Sequence, residues 1–174
     1  MNESASNEVS FRTLVVTKKD PVAEGIFRFE LRDEAGRDLP PFTAGAHLTV
    51  RVPSGANRNY SLCNDPAETD RYVIAVKRDA AGRGGSVSMT DEVAQGDRIE
   101  VSEPRNEFEL SERARSFVFV AGGIGITPVL SMMHHLKATT GPRFKLYYVS
   151  RSPYSCNIFS VFASTTRLIS FCAS

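Results

Sequence analysis

The chain is short of three things: cysteine, net charge and long apolar runs. It has three cysteines in 174 residues, and with no secretory signal the thiols are expected to be reduced. A formal net charge of +1 implies neither nucleic-acid nor membrane electrostatics. Met1 to Val9 has no apolar stretch and no basic lead, so neither an export signal nor a mitochondrial transit peptide is expected. Residues 1–10 read as a disordered N-terminus and the protein as cytoplasmic. What remains, 41% hydrophobic and 24% charged residues, is the composition of a compact domain.

Two grammars divide the chain. Over residues 11–104 the segments are short, β-rich and separated by turn residues such as Asp33-Glu-Ala-Gly-Arg37, Pro53-Ser-Gly-Ala-Asn57 and Asn64-Asp65-Pro66. Strands are expected at Phe11 to Lys18, Gly25 to Arg32, His47 to Val52, Arg58 to Cys63, Arg71 to Arg78 and Asp97 to Ser102, with a helix from Val87 to Ala94. That pattern predicts a six-stranded antiparallel β-barrel. Residues 105–115 read as a linker. Over residues 116–153 the order becomes strand, helix, strand, which is a βαβ unit with a parallel sheet and an incomplete α/β nucleotide-binding domain.

Within that unit, Ser116-Phe-Val-Phe-Val-Ala-Gly-Gly-Ile-Gly-Ile-Thr-Pro128 carries the densest signal. Phe117, Val118, Phe119 and Val120 predict a strand buried on both faces. Gly122, Gly123 and Gly125 remove the Cβ atoms that would hold a ligand away from the turn. Thr127 reads as an N-cap and Pro128 as the first helical residue, so that free N–H groups face an anion. The segment is not a P-loop, since no Lys-Ser or Lys-Thr follows the last glycine, and Pro128 stands where G-x-G-x-x-G needs its third glycine. Taken alone, it fits a nucleotide turn or simply a sterically tight strand-to-helix turn.

Three upstream segments bear on the choice. In Arg58-Asn59-Tyr60-Ser61, strand alternation puts a guanidinium and a phenol on one side, which suits an anionic aromatic ligand, or else is a solvated Arg beside a half-buried Tyr. Gly82-Arg83-Gly84-Gly85-Ser86 offers consecutive N–H groups, a hydroxyl and a fixed charge, a nest for phosphate or else a surface turn. Ala75-Val76-Lys77 ends a strand. His47 reads as a structural residue, with no Cys or His near it at metal spacing. Cys63 reads as a small buried apolar residue.

In their order along the chain, these segments resemble the ferredoxin-reductase-type flavoproteins. More narrowly, they resemble the reductase components of Rieske aromatic oxygenases, the phthalate dioxygenase reductase and vanillate O-demethylase reductase group. The resemblance runs from about Phe11 to about Pro153. It implies an NAD(P)H-dependent flavin oxidoreductase that passes electrons to a Rieske-type oxygenase. It implies FMN rather than FAD, because the GRGGS-like segment meets a terminal phosphate. By resemblance, Arg58, Tyr60, Ser61, Ala75, Lys77, Gly84, Gly85, Ser86 and Thr127 serve the flavin, while Gly123, Gly125, Ser150 and Arg151 serve NADH or NADPH. No residue is expected as an acid or base, since hydride transfer needs alignment and dryness.

The tail, residues 154–174, departs from the family: Arg167 is its one charged residue, no period is sustained, and it is too interrupted by polar residues to span a bilayer. It reads as an aberrant, non-native terminus. Full-length relatives add a [2Fe-2S] domain, but Cys63, Cys156 and Cys172 cannot supply the four thiolates of a C-x4-C-x2-C…C site. Two other readings stay open: a flavin-binding module without turnover, and a non-enzymatic β-barrel interaction domain whose glycines are only turns.

Overall fold

The computed structural model describes residues 10–139, 143–150 and 169–172. The N-terminal segment read as disordered, Arg151 and most of the tail lie outside the described residues.

Six strands, β1 (Phe11–Ala23), β2 (Ile26–Arg32), β3 (His47–Arg51), β4 (Asn57–Ser61), β5 (Tyr72–Lys77) and β6 (Arg98–Ser102), form one antiparallel sheet in the order β4-β3-β6-β1-β2-β5. All six stand where turn punctuation predicts them. The expected six-stranded antiparallel barrel is present as a curled sheet that does not close fully. Its edge strands meet through the bridge Leu62↔Ile74 and the Cys63 N–H, which donates to Val73 O at 2.8 Å. Past that point the Asn64 side chain takes the ladder positions. Its Oδ1 accepts the Val73 N–H at 3.0 Å, and its Nδ2 donates to Glu68 Oε2 at 3.0 Å and Arg71 O at 3.1 Å. With those groups satisfied by a side chain, backbone pairing between β4 and β5 goes no further.

Helix α1 (Gly85–Asp91) begins two residues before the expected start because Gly84, at φ 78, turns the chain into it. It ends early as well, where Lys19 Nζ donates to the carbonyls of Thr90 (2.6 Å) and Val93 (2.7 Å). A cation on orphan C-terminal carbonyls stabilises the helix end and ties it to β1.

The second unit holds β7 (Ser116–Gly122), α2 (Thr127–Ala138), β8 (Arg143–Ser150) and β9 (Ile169–Cys172), giving a parallel sheet in the order β7-β8-β9. β9 lies in the tail, where no period marks a strand. β7 is not buried on both faces. Phe119 and Ala121 are buried, whereas Val118 is 66% and Val120 75% exposed. Of the strands in the first sheet, β5 has the two-sided burial: Tyr72, Ile74 and Val76 join the core of the curled sheet, and Val73 and Ala75 pack in the second core. That second core joins the units. It sets Val22, Ile26, Cys63, Val73 and Ala75 against Phe119, Ile126, Leu130, Met133, Leu146 and Tyr148.

Candidate functional site

β4 is an edge strand paired only with β3, so the side chains of Arg58 and Tyr60, on the same side as Leu48 and Val50, lie over the rim of the core. Gly85 lies directly against that rim. A Cβ at Gly85 would meet Arg58 Nε at 2.5 Å and Cγ and Cζ at 3.0 Å. The guanidinium therefore rests on the glycine backbone that opens α1, and Arg58 Nη1 donates to Asn57 O at 2.8 Å. The geometry brings Arg58, Gly84 and Gly85 together. Ser86 sits beside them, its Oγ accepting the Asp79 N–H at 3.1 Å.

Tyr60 packs against the core of the curled sheet, yet its Oη is buried with no hydrogen-bond partner among the described residues. Burial raises its pKa, although the nearby charge of Arg58 pulls the other way. An orphan phenol beside a guanidinium is a site lacking an acceptor, and the hydroxyls and phosphate of a flavin would supply what is missing. The residues present fit that group.

Ser61 continues the strand into a cleft of about 350 Å³ shared with Gly45, His47, Asn59, Glu107, Phe108 and Pro128. One end of the strand thus lies at the start of α1 and the other at the first turn of α2. Sequence reasoning set His47 aside as structural and gave no part to Asn59 or Phe108. Their place in the cleft is a tertiary outcome: the Phe108 carbonyl packs on Gly45, and His47 pairs with Arg105 across chain far apart in sequence.

At α2 the expected cap is replaced. Gly123–Ile126 forms a 3-10 turn, Ile126 is the N-cap, and Thr127 is already helical. The Thr127 hydroxyl donates to Ile124 O at 3.0 Å instead of accepting an orphan N–H, because the turn has placed that carbonyl within reach. Gly123 has φ +50, which favours glycine, while a Cβ at Gly125 would meet nothing within 4 Å. No neighbour among the described residues thus excludes a side chain at 125, and the turn is open there. Tyr148, fully buried on β8, donates from Oη to Gly123 O at 3.1 Å and fixes the turn. No motif marks Tyr148, and only the parallel register of β7 and β8 reveals it.

Other assigned residues lie apart. The Ala75 methyl is 4% exposed within the core that joins the units, and Lys77 is exposed at the end of β5. The Ser150 backbone ends β8, beside the turn that follows β7, at the carboxyl edge where parallel sheets bind ligands. Burial pushes the Cys63 thiol up to about 12, which fits a packing role.

A curled antiparallel sheet joined to a parallel βαβ unit, with a cationic strand leading to the glycine turn, defines the ferredoxin-reductase type of fold. A family model described as the ferric reductase NAD binding domain matches residues 114–169. The chain is 63% identical over 153 residues to the phthalate 4,5-dioxygenase oxygenase reductase subunit of Pseudomonas putida, covering 88% of this chain and 47% of that protein. It is 46% identical over 138 residues to the vanillate O-demethylase oxidoreductase of Pseudomonas putida, covering 79% of this chain and 43% of that one. A solved phthalate dioxygenase reductase, described as a modular structure for electron transfer from pyridine nucleotides to [2Fe-2S], superposes with a TM-score of 0.86 at 54% identity, covering 89% of this chain and 48% of that one. Over most of its length the chain is highly similar to the phthalate dioxygenase and vanillate O-demethylase reductases. It spans about half the length of the curated relatives it matches.

Proposed function

We propose that this chain binds FMN along β4 and the start of α1 and receives electrons from NADH or NADPH at the glycine turn. In this reading it is the electron-entry unit of a cytoplasmic Rieske-type aromatic oxygenase or demethylase system. The observation that carries the proposal is the Arg58 guanidinium resting on Gly85, on a strand whose far end shares a cleft with Pro128.

A bound flavin supplies the exchange between a two-electron hydride and single-electron transfer. The chain supplies position. Arg58 and the N–H groups around Gly84, Gly85 and Ser86 hold a terminal phosphate, and a mononucleotide phosphate suits a nest at the strand end. Tyr60 gives its hydroxyl to the flavin side chain, and Ser61 lines the cleft where the ring would lie. Gly123 and Gly125 let a pyrophosphate approach the backbone, with Ser150 and Arg151 at the ribose beyond it. Thr127 and Tyr148 hold the turn in shape. No side chain moves a proton. In this reading single electrons pass on to a [2Fe-2S] acceptor.

Reconstitution with FMN, gel filtration and then anaerobic NADH test the proposal in one cuvette. Retained yellow colour that bleaches is the expected result. A flavin module without turnover is the second reading, and retained colour that NADH leaves unchanged would establish it. A colourless protein would overturn both and leave the interaction-domain reading.

A further inference from the structure

A cavity of about 420 Å³ opens at the end of α2 remote from the glycine turn. Three parts of the fold wall it: Phe42 and Ala44 from the loop before β3, Leu110 from the linker, and Phe117 and Leu136 from β7 and α2. It shares no residue with the cleft around Ser61. Pro128 borders that cleft and Leu136 borders this cavity, roughly 12 Å apart along the helix axis.

The walls are set by the fold. Phe42, Ala44 and Leu136 are buried, and Leu110 and Phe117 pack against the core that joins the units. Asn106 ties the linker to the loop, its Nδ2 donating to Thr43 Oγ1 at 2.7 Å and Ala44 O at 3.0 Å. A preformed hollow of this size, with apolar walls and a few polar groups, at a joint between units is the usual form of a small-molecule site.

Its charge is one-sided. Glu109 and Glu112 line the cavity, both exposed and neither in an ion pair among the described residues. No Lys or Arg lines it. Carboxylates and phosphates, which suit the Arg58 site, are therefore repelled here. The Phe117 ring, held in a stack on Phe119 with centroids 5.8 Å apart, adds a π-system of the kind that attracts an ammonium group.

We propose that this cavity binds a small apolar cation, an aromatic or alkyl ammonium. Its hydrocarbon part sits among Phe42, Leu110, Phe117 and Leu136, and its charge is met by Glu109 and Glu112. Because the walls come from both units and the linker, an occupant bridges all three and favours the folded, joined chain. This inference rests on the cavity and not on the flavin reading.

The test is calorimetric titration of the full 174-residue chain, without flavin, with benzyltrimethylammonium and, separately, with benzoate. His135 also lines the cavity, so the titrations are run at pH 8, where free imidazole is neutral. One saturable site for the ammonium is expected, with a Kd on the order of 1 mM and a melting temperature that rises with its concentration. Benzoate should bind at least about ten-fold more weakly. Glu109→Gln and Glu112→Gln should each weaken ammonium binding by about two- to five-fold, and the double variant by more. Both carboxylates are exposed and unpaired, so these variants should melt with the parent. Should the double variant melt lower, Ser111→Arg decides, since it adds a cation at an exposed lining position and should also weaken the ammonium. No saturable ammonium binding overturns the proposal, as does benzoate binding of equal strength or ammonium binding indifferent to these substitutions. No readout involves flavin or NADH, so failure here is separate from failure of the proposed activity.

Discussion

Gly45→Ala should be strongly destabilising, and its cost can be built from two parts. Gly45 has φ +99, a region that L side chains avoid, at about 1–2 kcal/mol. The new methyl would also stand 2.1 Å from Phe108 O and 2.8 Å from Met132 Cε, so the carbonyl must retreat by roughly 1 Å. That carbonyl is backbone, and Asn106 tethers it: Nδ2 donates to Thr43 Oγ1 at 2.7 Å and Ala44 O at 3.0 Å, while Oδ1 accepts the Phe108 N–H at 2.9 Å. Such overpacking costs about 1–3 kcal/mol. The total, about 3 kcal/mol, corresponds to a fall in melting temperature of about 6–12 °C for a chain of this size. Gly36→Ala is the control, with φ +70 and nothing within 4 Å of the added methyl. It should cost the conformational part alone, about 1–2 kcal/mol. Urea unfolding of both variants measures the difference. Equal losses would refute the claim that Gly45 is where the curled sheet, the linker and α2 meet too closely for a side chain.

Three further outcomes are expected. Arg58→Ala should weaken FMN binding by about 1–3 kcal/mol, and Gly85→Ala, by pushing the guanidinium aside, should do so with little change in melting temperature; equilibrium dialysis of FMN measures both. Cys63, with its thiol pushed up to about 12 by burial, should resist a thiol-specific reagent at pH 8 until denaturant is added. Glu30 is held below the ordinary 4.5. Burial alone would raise it, but the hydrogen bond from Arg32 and the charges of Arg32, Lys18 and Arg71 together outweigh that. Its contribution is therefore complete above about pH 4.5 and lost as pH falls through its folded value. Glu30→Gln should cost about 1–3 kcal/mol at pH 7 and flatten the acid limb of the stability curve, which urea titrations at several pH values would show.

Much of the site is local and therefore legible. Arg58, Tyr60, Gly84 and Gly85 fall in two short segments that local chemistry singles out, and the structure sets the Arg58 side chain against Gly85. The α2 cap was misread for an equally local reason: the 3-10 turn at Gly123–Ile126 depends on a Gly123 conformation that no propensity marks. Phe108, His47 and Tyr148 each gain their place from a partner distant in sequence, namely Gly45, Arg105 and Gly123, which no local pattern marks.

By itself the sequence determined the succession of strands from β1 to β8, the change of grammar near residue 116 and the residue types along β4. Those are properties of periodicity, turn chemistry and the absence of Cβ atoms, which act over a few residues. Only the tertiary structure decided that the six strands curl without closing, that β5 and not β7 is buried on both faces, and that Val118 and Val120 of β7 are exposed. The reason is that an apolar run such as Phe117-Val-Phe-Val120 reads the same whether its second face is covered or not, since burial belongs to neighbours brought from elsewhere in the fold.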